Sequence, residues 1–178
     1  LRQRRLPEEI VIIDDGSSES YDQSLSKIQL AASEVDKDVD VKYTHLQEGG
    51  GGSYARNRGA QQATGDLLMF IDDDDTWEQE KIGRQLQLFE EIPEVGLVYS
   101  GRRAVDEQGQ LLYCITANEE GDVFQRLLQR NCVGTTSSVA LKAELFRRVG
   151  GFDEELPAQQ DYDLWIRIAR QMPVACDP

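Results

Sequence analysis

Two short apolar runs that break off into carboxylates constrain this chain more than any other feature. Glu9-Ile10-Val11-Ile12-Ile13 is rich in β-branched residues and ends in Asp14-Asp15-Gly16-Ser17-Ser18. Leu67-Leu68-Met69-Phe70-Ile71 ends in Asp72-Asp73-Asp74-Asp75. Continuous rather than alternating apolarity marks a strand covered on both faces, as in a parallel sheet. Other segments alternate between the two periods. Helical spacing covers 21–32, 54–63, 78–89, 122–129, 143–149 and 161–169, with Gly150-Gly151 stopping the fifth. Strand-like runs cover 39–43, 95–99, 111–115 (after a turn at 107–110) and 136–141. This order predicts an α/β, Rossmann-like fold: one mostly parallel mixed sheet with helices on both faces.

In such a sheet, ligands bind beyond the carboxyl ends of the strands. Both acidic groups stand at such ends, so parallel strands would place them on one rim. Carboxylates that close repel one another unless a cation joins them. A hard divalent ion with oxygen ligands answers that need. The bland alternative is that these acids start turns and cap helices.

Composition narrows the partners. Asp and Glu number 33 against 19 Lys and Arg, a net charge of -14. Such a chain repels nucleic acid, and its basic residues cluster only at Arg2, Arg4 and Arg5. Three scattered cysteines, Cys114, Cys132 and Cys176, form no metal-ligand pair and point to a reducing, cytoplasmic compartment. No segment is apolar for long enough to span a bilayer, so membrane attachment would use parts outside this chain. At 178 residues a single domain is expected, 1–178, cut at both ends.

Five motifs in order carry a resemblance. They are Ile12-Ile13-Asp14-Asp15-Gly16-Ser17-Ser18, Ala55-Arg56-Asn57-Arg58-Gly59, Phe70-Ile71-Asp72-Asp73-Asp74-Asp75, Gly150-Gly151-Phe152-Asp153-Glu154 and Gln160-Asp161-Tyr162-Asp163-Leu164-Trp165. Together they resemble family-2 glycosyltransferases of the GT-A fold. The resemblance implies transfer of a sugar from a nucleotide-diphosphate donor, with UDP preferred, to a sugar, lipid-linked or glycan acceptor. It implies inversion at the anomeric carbon and Mg2+ or Mn2+ as cofactor, in cell-surface polysaccharide or glycolipid synthesis. By motif position, Asp15 matches the acid that meets the base or ribose. Asp72-x-Asp74 matches the D-x-D motif, with Asp74 the main metal ligand. Asp72 and Asp73 fall near the ribose, or bind metal through water. Asp161 matches the general base. Arg56 pairs with the acids or approaches the diphosphate.

Departures from the family accompany the match. Its members begin with a strand carrying a Pro-Thr-Tyr-Asn-like turn that packs on the base, and no segment here corresponds. The acceptor-binding parts that follow the Asp161 region are also expected to be missing. The Q-x-x-R-W signature of processive synthases is absent, which points to a non-processive enzyme.

Other readings remain open. Asp72-x-Asp74-x-Thr76 also fits a haloacid-dehalogenase-type phosphatase, but the Gly-Asp-x-x-x-Asp pair does not follow. A phospho-receiver domain would use Asp14-Asp15 for Mg2+ and need a later lysine, and Lys142 follows the wrong kind of segment. A non-catalytic sugar-nucleotide-binding remnant is a third. Gly49-Gly50-Gly51-Gly52-Ser53 is no P-loop; it reads as a mobile loop closing on the diphosphate, or as a flexible linker. His45, the only histidine, reads as structural or exposed. Trp77 and Trp165 read as core more readily than as sugar platforms.

Overall fold

The computed structural model describes residues 3–18, Ser26, Leu30 and 39–178. The helix expected over 21–32 therefore lies, apart from those two residues, outside the described part.

Strand β1 (Glu9–Asp14) pairs in parallel with β2 (Asp40–His45), from Glu9 opposite Asp40 to Asp14 opposite His45. That register fixes the end of β1. Asp14 is buried. Its carboxylate accepts hydrogen bonds from Tyr43 Oη at 2.8 Å, His45 Nδ1 at 3.0 Å and the Ser17 N–H at 2.9 Å. His45 thus has a structural role. At the other end Glu9 ion-pairs with Lys42 and accepts the Thr64 N–H at 2.9 Å. Helix α1 (Gly52–Gln62) packs along β1.

The remaining strands form a four-stranded sheet and a hairpin. The sheet runs β3 (Leu67–Met69), β7 (Val139–Lys142), β4 (Leu97–Ser100), β8 (Val174–Asp177). β7 is antiparallel to both neighbours, and β8 is parallel to β4. It follows that β3, β4 and β8 share one direction, with β7 reversed between them. The hairpin joins β5 (Arg102–Val105) to β6 (Leu111–Ile115).

Side-chain alternation divides the core into two layers. Leu97, Tyr99, Val139 and Leu141 face helix α4 (Ala143–Arg148) and helix α5 (Gln160–Ala169), where Leu145, Phe146, Leu164, Trp165 and Ile168 complete one cluster. Leu127 of the short α3 (Phe124–Leu127) joins it. Val98, Ala140 and Ala175 face the other way, onto Phe89 of α2 (Lys81–Glu91) and onto Val95. Helices thus cover both faces, as the sequence predicts. Trp165 is fully buried, and truncating such a side chain costs about 3–5 kcal/mol.

The sequence reading expects one sheet, whereas among the described residues the two acid-ended strands, β1 and β3, lie in separate sheets; other differences are local. The helix expected from 78 begins at Lys81, because the Lys81 N–H first closes a turn on the Glu78 carbonyl at 3.1 Å. β5 carries two arginines and no apolar run; its pairing with β6 makes it a strand. Among the described residues, no helix is long and apolar enough to cross a membrane.

Asp14 gives a pH test. Its hydrogen bonds, first that from His45 and then that from the Ser17 N–H, hold its pKa far below the usual carboxylate range. Below about pH 4 the unfolded chain takes up a proton that the folded chain refuses. Stability measured by urea titration is expected to hold down to about pH 5 and to fall as pH drops through 4. Asp14→Asn should lower the neutral plateau and flatten that acid slope; an unchanged slope would remove Asp14 from this role.

Candidate functional site

Asp15 leaves the end of β1 and grips the loop that opens α1. Its Oδ1 accepts the Gly50 N–H at 2.8 Å and its Oδ2 the Gly51 N–H at 2.7 Å. Backbone N–H groups at a helix start are unpaired within the helix and carry positive partial charge, so a carboxylate suits them. Gly51 takes φ 84° to make this turn, a region that other residues enter at a cost. The glycine run is therefore tied to the end of β1 by Asp15. Each Asp15 oxygen keeps a lone pair for a further donor.

Arg56 stands five residues beyond Gly51, about 7–8 Å along the axis. Its Nε and Nη2 donate to Asp72 Oδ1 at 3.2 and 2.5 Å. Its guanidinium lies 5.7 Å from the centre of the Phe152 ring. The first turns of α1 thus join the acids after β1 to those after β3. Asp73, Asp74 and Asp75 are exposed, and among the described residues their side chains have no hydrogen-bond or ion-pair partner. One arginine faces four aspartates, which leaves an uncompensated negative edge.

A polar cluster clamps the base of this acidic loop. The Asp72 N–H donates to Ser137 Oγ at 3.0 Å, and Trp77 Nε1 to the Ser137 carbonyl at 2.8 Å. Lys81 Nζ and Gln85 Nε2 both donate to the Ser138 carbonyl, at 3.0 and 2.9 Å. Burial pushes the Lys81 pKa down to about 7, opposed by the charge of Asp177. The 3-10 turn Thr136–Ser138 before β7 is thus the platform on which the four aspartates stand.

The Gly150-Gly151-Phe152 segment is tied to α1 as well. Asn57 Nδ2 donates to the Phe152 carbonyl at 2.8 Å and to Glu154 Oε1 at 2.7 Å, while its Oδ1 accepts the Phe152 N–H at 2.9 Å. Phe152 packs edge-on against Phe70 and Trp165. Trp165 donates to the Gly134 carbonyl at 3.1 Å, so it belongs to the core and is no sugar platform.

Asp161 sits in the first turn of α5, half-buried, and accepts the Tyr162 N–H at 2.7 Å. It shares a helix face with Trp165, four residues on. Just before α5, Gln159 takes a left-handed conformation at φ 59°, unusual for a residue with a side chain. Contacts join Asp15, Arg56 and Asp72 through α1. Among the described residues, no hydrogen bond or ion pair joins any of them to Asp161, whose carboxylate accepts the Tyr162 N–H. Among the described residues, no three metal-ligating side chains converge.

A cleft of about 730 Å³ opens behind this segment, lined by residues including Asn57, Phe152, Glu154, Asp163 and Arg167. None of the strand-end acids lines it. Its two arginines are already engaged, Arg167 by Asp163 at 2.6 and 2.9 Å and by the Val149 carbonyl at 2.7 Å, Arg147 by the Ala63 carbonyl at 3.0 Å. The exposed acids, not this cleft, form the candidate site.

The Glycosyl transferase family 2 profile matches residues 1–149. The chain belongs to that family. A glycosyltransferase of Haemophilus influenzae is 28% identical over 166 residues, covering 92% of this chain and 52% of its own length. The amylovoran biosynthesis glycosyltransferase AmsB of Erwinia amylovora is 30% identical over 168 residues, 89% of this chain and 53% of its own. The family-2 chain therefore spans about half the length of these relatives. Among solved structures, residues 1–349 of S. aureus TarS superpose with a TM-score of 0.75 at 19% identity, covering 99% of this chain and 51% of that one. The mannosyltransferase PcManGT of Pyrobaculum calidifontis gives 0.68 at 21%, covering 99% and 48%. The fold is of the GT-A type.

Sequence reasoning singled out Arg56 in this family-2 motif and passed over Asn57, Ser137 and Lys81. Asn57 stood inside a quoted motif, yet nothing in the pattern revealed a partner 95 residues away. Gly151 tests the tie. It takes φ 70°, and a Cβ there would lie 2.6 Å from Asn57 Oδ1. Gly151→Ala should cost about 2–4 kcal/mol in urea unfolding, from left-handed strain and a disrupted buried hydrogen bond. A loss within about 0.5 kcal/mol, the range of ordinary surface changes, would show the tie to be dispensable.

Proposed function

We propose that this chain carries the donor-binding and catalytic part of a transferase that moves a sugar from a nucleotide-diphosphate sugar to an acceptor hydroxyl, with inversion and without processive extension. One observation carries the reading most directly. A single helix start holds Asp15 and Asp72, while Asp73, Asp74 and Asp75 beside them stay uncovered.

The proposed roles join those contacts to the motif positions. Asp15, with its free lone pairs, receives a base N–H or a ribose hydroxyl. Asp72 is steadied by Arg56; by the motif match it would lie on the ribose side with Asp73, leaving Asp74 as the direct metal ligand of the Asp72-x-Asp74 pair. Mg2+ fits this donor set because it binds through one or two carboxylates plus substrate phosphates, without an all-protein cage; Mn2+ accepts the same ligands. PcManGT is described with GDP-Man and Mn2+, and TarS with UDP, which supports a nucleotide-sugar donor here. A bound divalent ion supplies Lewis acidity at the leaving diphosphate. Arg56, held against Asp72, would add a second positive charge toward that anion.

Asp161 takes the proton. As the acceptor oxygen bonds to the anomeric carbon and the carbon–phosphate-oxygen bond breaks, the hydroxyl proton passes to the Asp161 carboxylate. The left-handed Gln159 sets the start of α5 and so the place of that carboxylate. The relatives' names, amylovoran biosynthesis and glucosyl-dolichyl phosphate glucuronosyltransferase, favour a polysaccharide or lipid-linked acceptor.

Two variants test the roles. Asp74→Ala should weaken Mn2+-dependent UDP or GDP binding at least tenfold, about 1.4 kcal/mol by calorimetry, with folding intact; undiminished binding would remove Asp74 as the ligand. Asp161→Asn, in the whole protein, should keep nucleotide binding and lose transfer. Transfer at the parent rate would show that another group takes the proton.

A further inference from the structure

The β5–β6 hairpin leaves a large apolar surface in water. Leu111, Leu112, Tyr113 and Ile115 of β6 are 41% to 62% exposed, Val105 of β5 is 55% exposed, and Cys114 is exposed too. Alternate residues of a strand face opposite ways, so both faces of β6 are open. Only β5 pairs with β6 among the described residues. Two-stranded ribbons are marginal alone, and natural edge strands are commonly blunted with lysine or proline. Residues 110–116 hold neither, nor any other charge, in a chain of net charge -14.

We propose that β6 is a self-association edge, pairing antiparallel with β6 of a second copy about a two-fold axis at Tyr113. The segment is close to palindromic in polarity. With Tyr113 opposite itself, Leu112 meets Cys114 of the second copy, Leu111 meets Ile115, and Gln110 meets Thr116. Every pair is size-compatible, and no like charges meet. The two hairpins become one four-stranded sheet.

Charge does not oppose this orientation. Each hairpin is polar along its length. Asp106 and Glu107 lie at the turn, while Arg102 stands opposite Ile115 at the open end, with Arg103 beside it ion-paired to Glu78. Antiparallel pairing sets the acidic turn of one copy on the row that ends in Arg102 of the other. Two molecules each carrying an excess of acid meet here through a neutral seam with opposed ends. Self-pairing is isologous, so it closes at two copies and does not propagate. An edge of this length covers less than a standard interface, which sets a weak, concentration-dependent dimer.

The test measures mass by light scattering across the micromolar range. The apparent mass should rise from 20.1 kDa toward twice that value with concentration. Tyr113→Lys, a substitution at an exposed site, should hold the chain monomeric with an unchanged circular dichroism spectrum. In a Cys114→Ser background, Tyr113→Cys should form a disulfide-linked dimer on mild oxidation and Leu111→Cys should not, because only position 113 faces itself. A chain that stays monomeric throughout, a dimer that survives Tyr113→Lys, or equal cross-linking at 111 and 113 would overturn the proposal. So would a monomer that instead floats with phosphatidylcholine–phosphatidylglycerol vesicles through this hairpin.

Discussion

The start of helix α1 is the constraint on which the rest of the site depends. Within two turns it presents backbone N–H groups to Asp15, a guanidinium to Asp72 and an amide to the Phe152 backbone. Three segments far apart in sequence are thereby fastened to one rigid element. A helix suits this because its rise and rotation per residue are fixed. Once Asp15 positions the first turn, the places of Arg56 and Asn57 follow.

Electrostatics explain why the fold tolerates so acidic an edge. Asp14 is satisfied inside by Tyr43, His45 and Ser17, and Asp72 outside by Arg56. The neighbouring three acids remain in water, where mutual repulsion costs little. The buried clamp beneath them, from Ser137 to Lys81, keeps the loop in place without neutralising it. An edge so built draws cations by its charge, as the proposed function requires.

Much of this was legible in the sequence, and for identifiable reasons. The continuous apolar runs before Asp14 and Asp72 announced strands, and side-chain periodicity announced helices on both faces. Five ordered motifs identified the family. What stayed hidden depends on distant partners. Arg102 and Arg103 gave no strand signal, because β5 exists through its pairing with β6. The reversal of β7 between β3 and β4 has no local signature, since residues 139–142 would read the same in either direction. His45 had no visible partner because Asp14 lies 31 positions away. In the Gly49–Gly52 run, which composition alone could not tell from a linker, Gly50 and Gly51 meet the carboxylate of Asp15.

Acids from two strand ends are proposed to form one cation-accepting rim around the start of α1. Paramagnetic broadening of amide NMR signals by substoichiometric Mn2+ with UDP tests it most directly. Asp15, Gly50, Gly51 and Asp72 to Asp75 should broaden together at the lowest Mn2+, while the β5–β6 hairpin stays sharp. Broadening confined to one strand end, or spread evenly over the acidic surface, would contradict it.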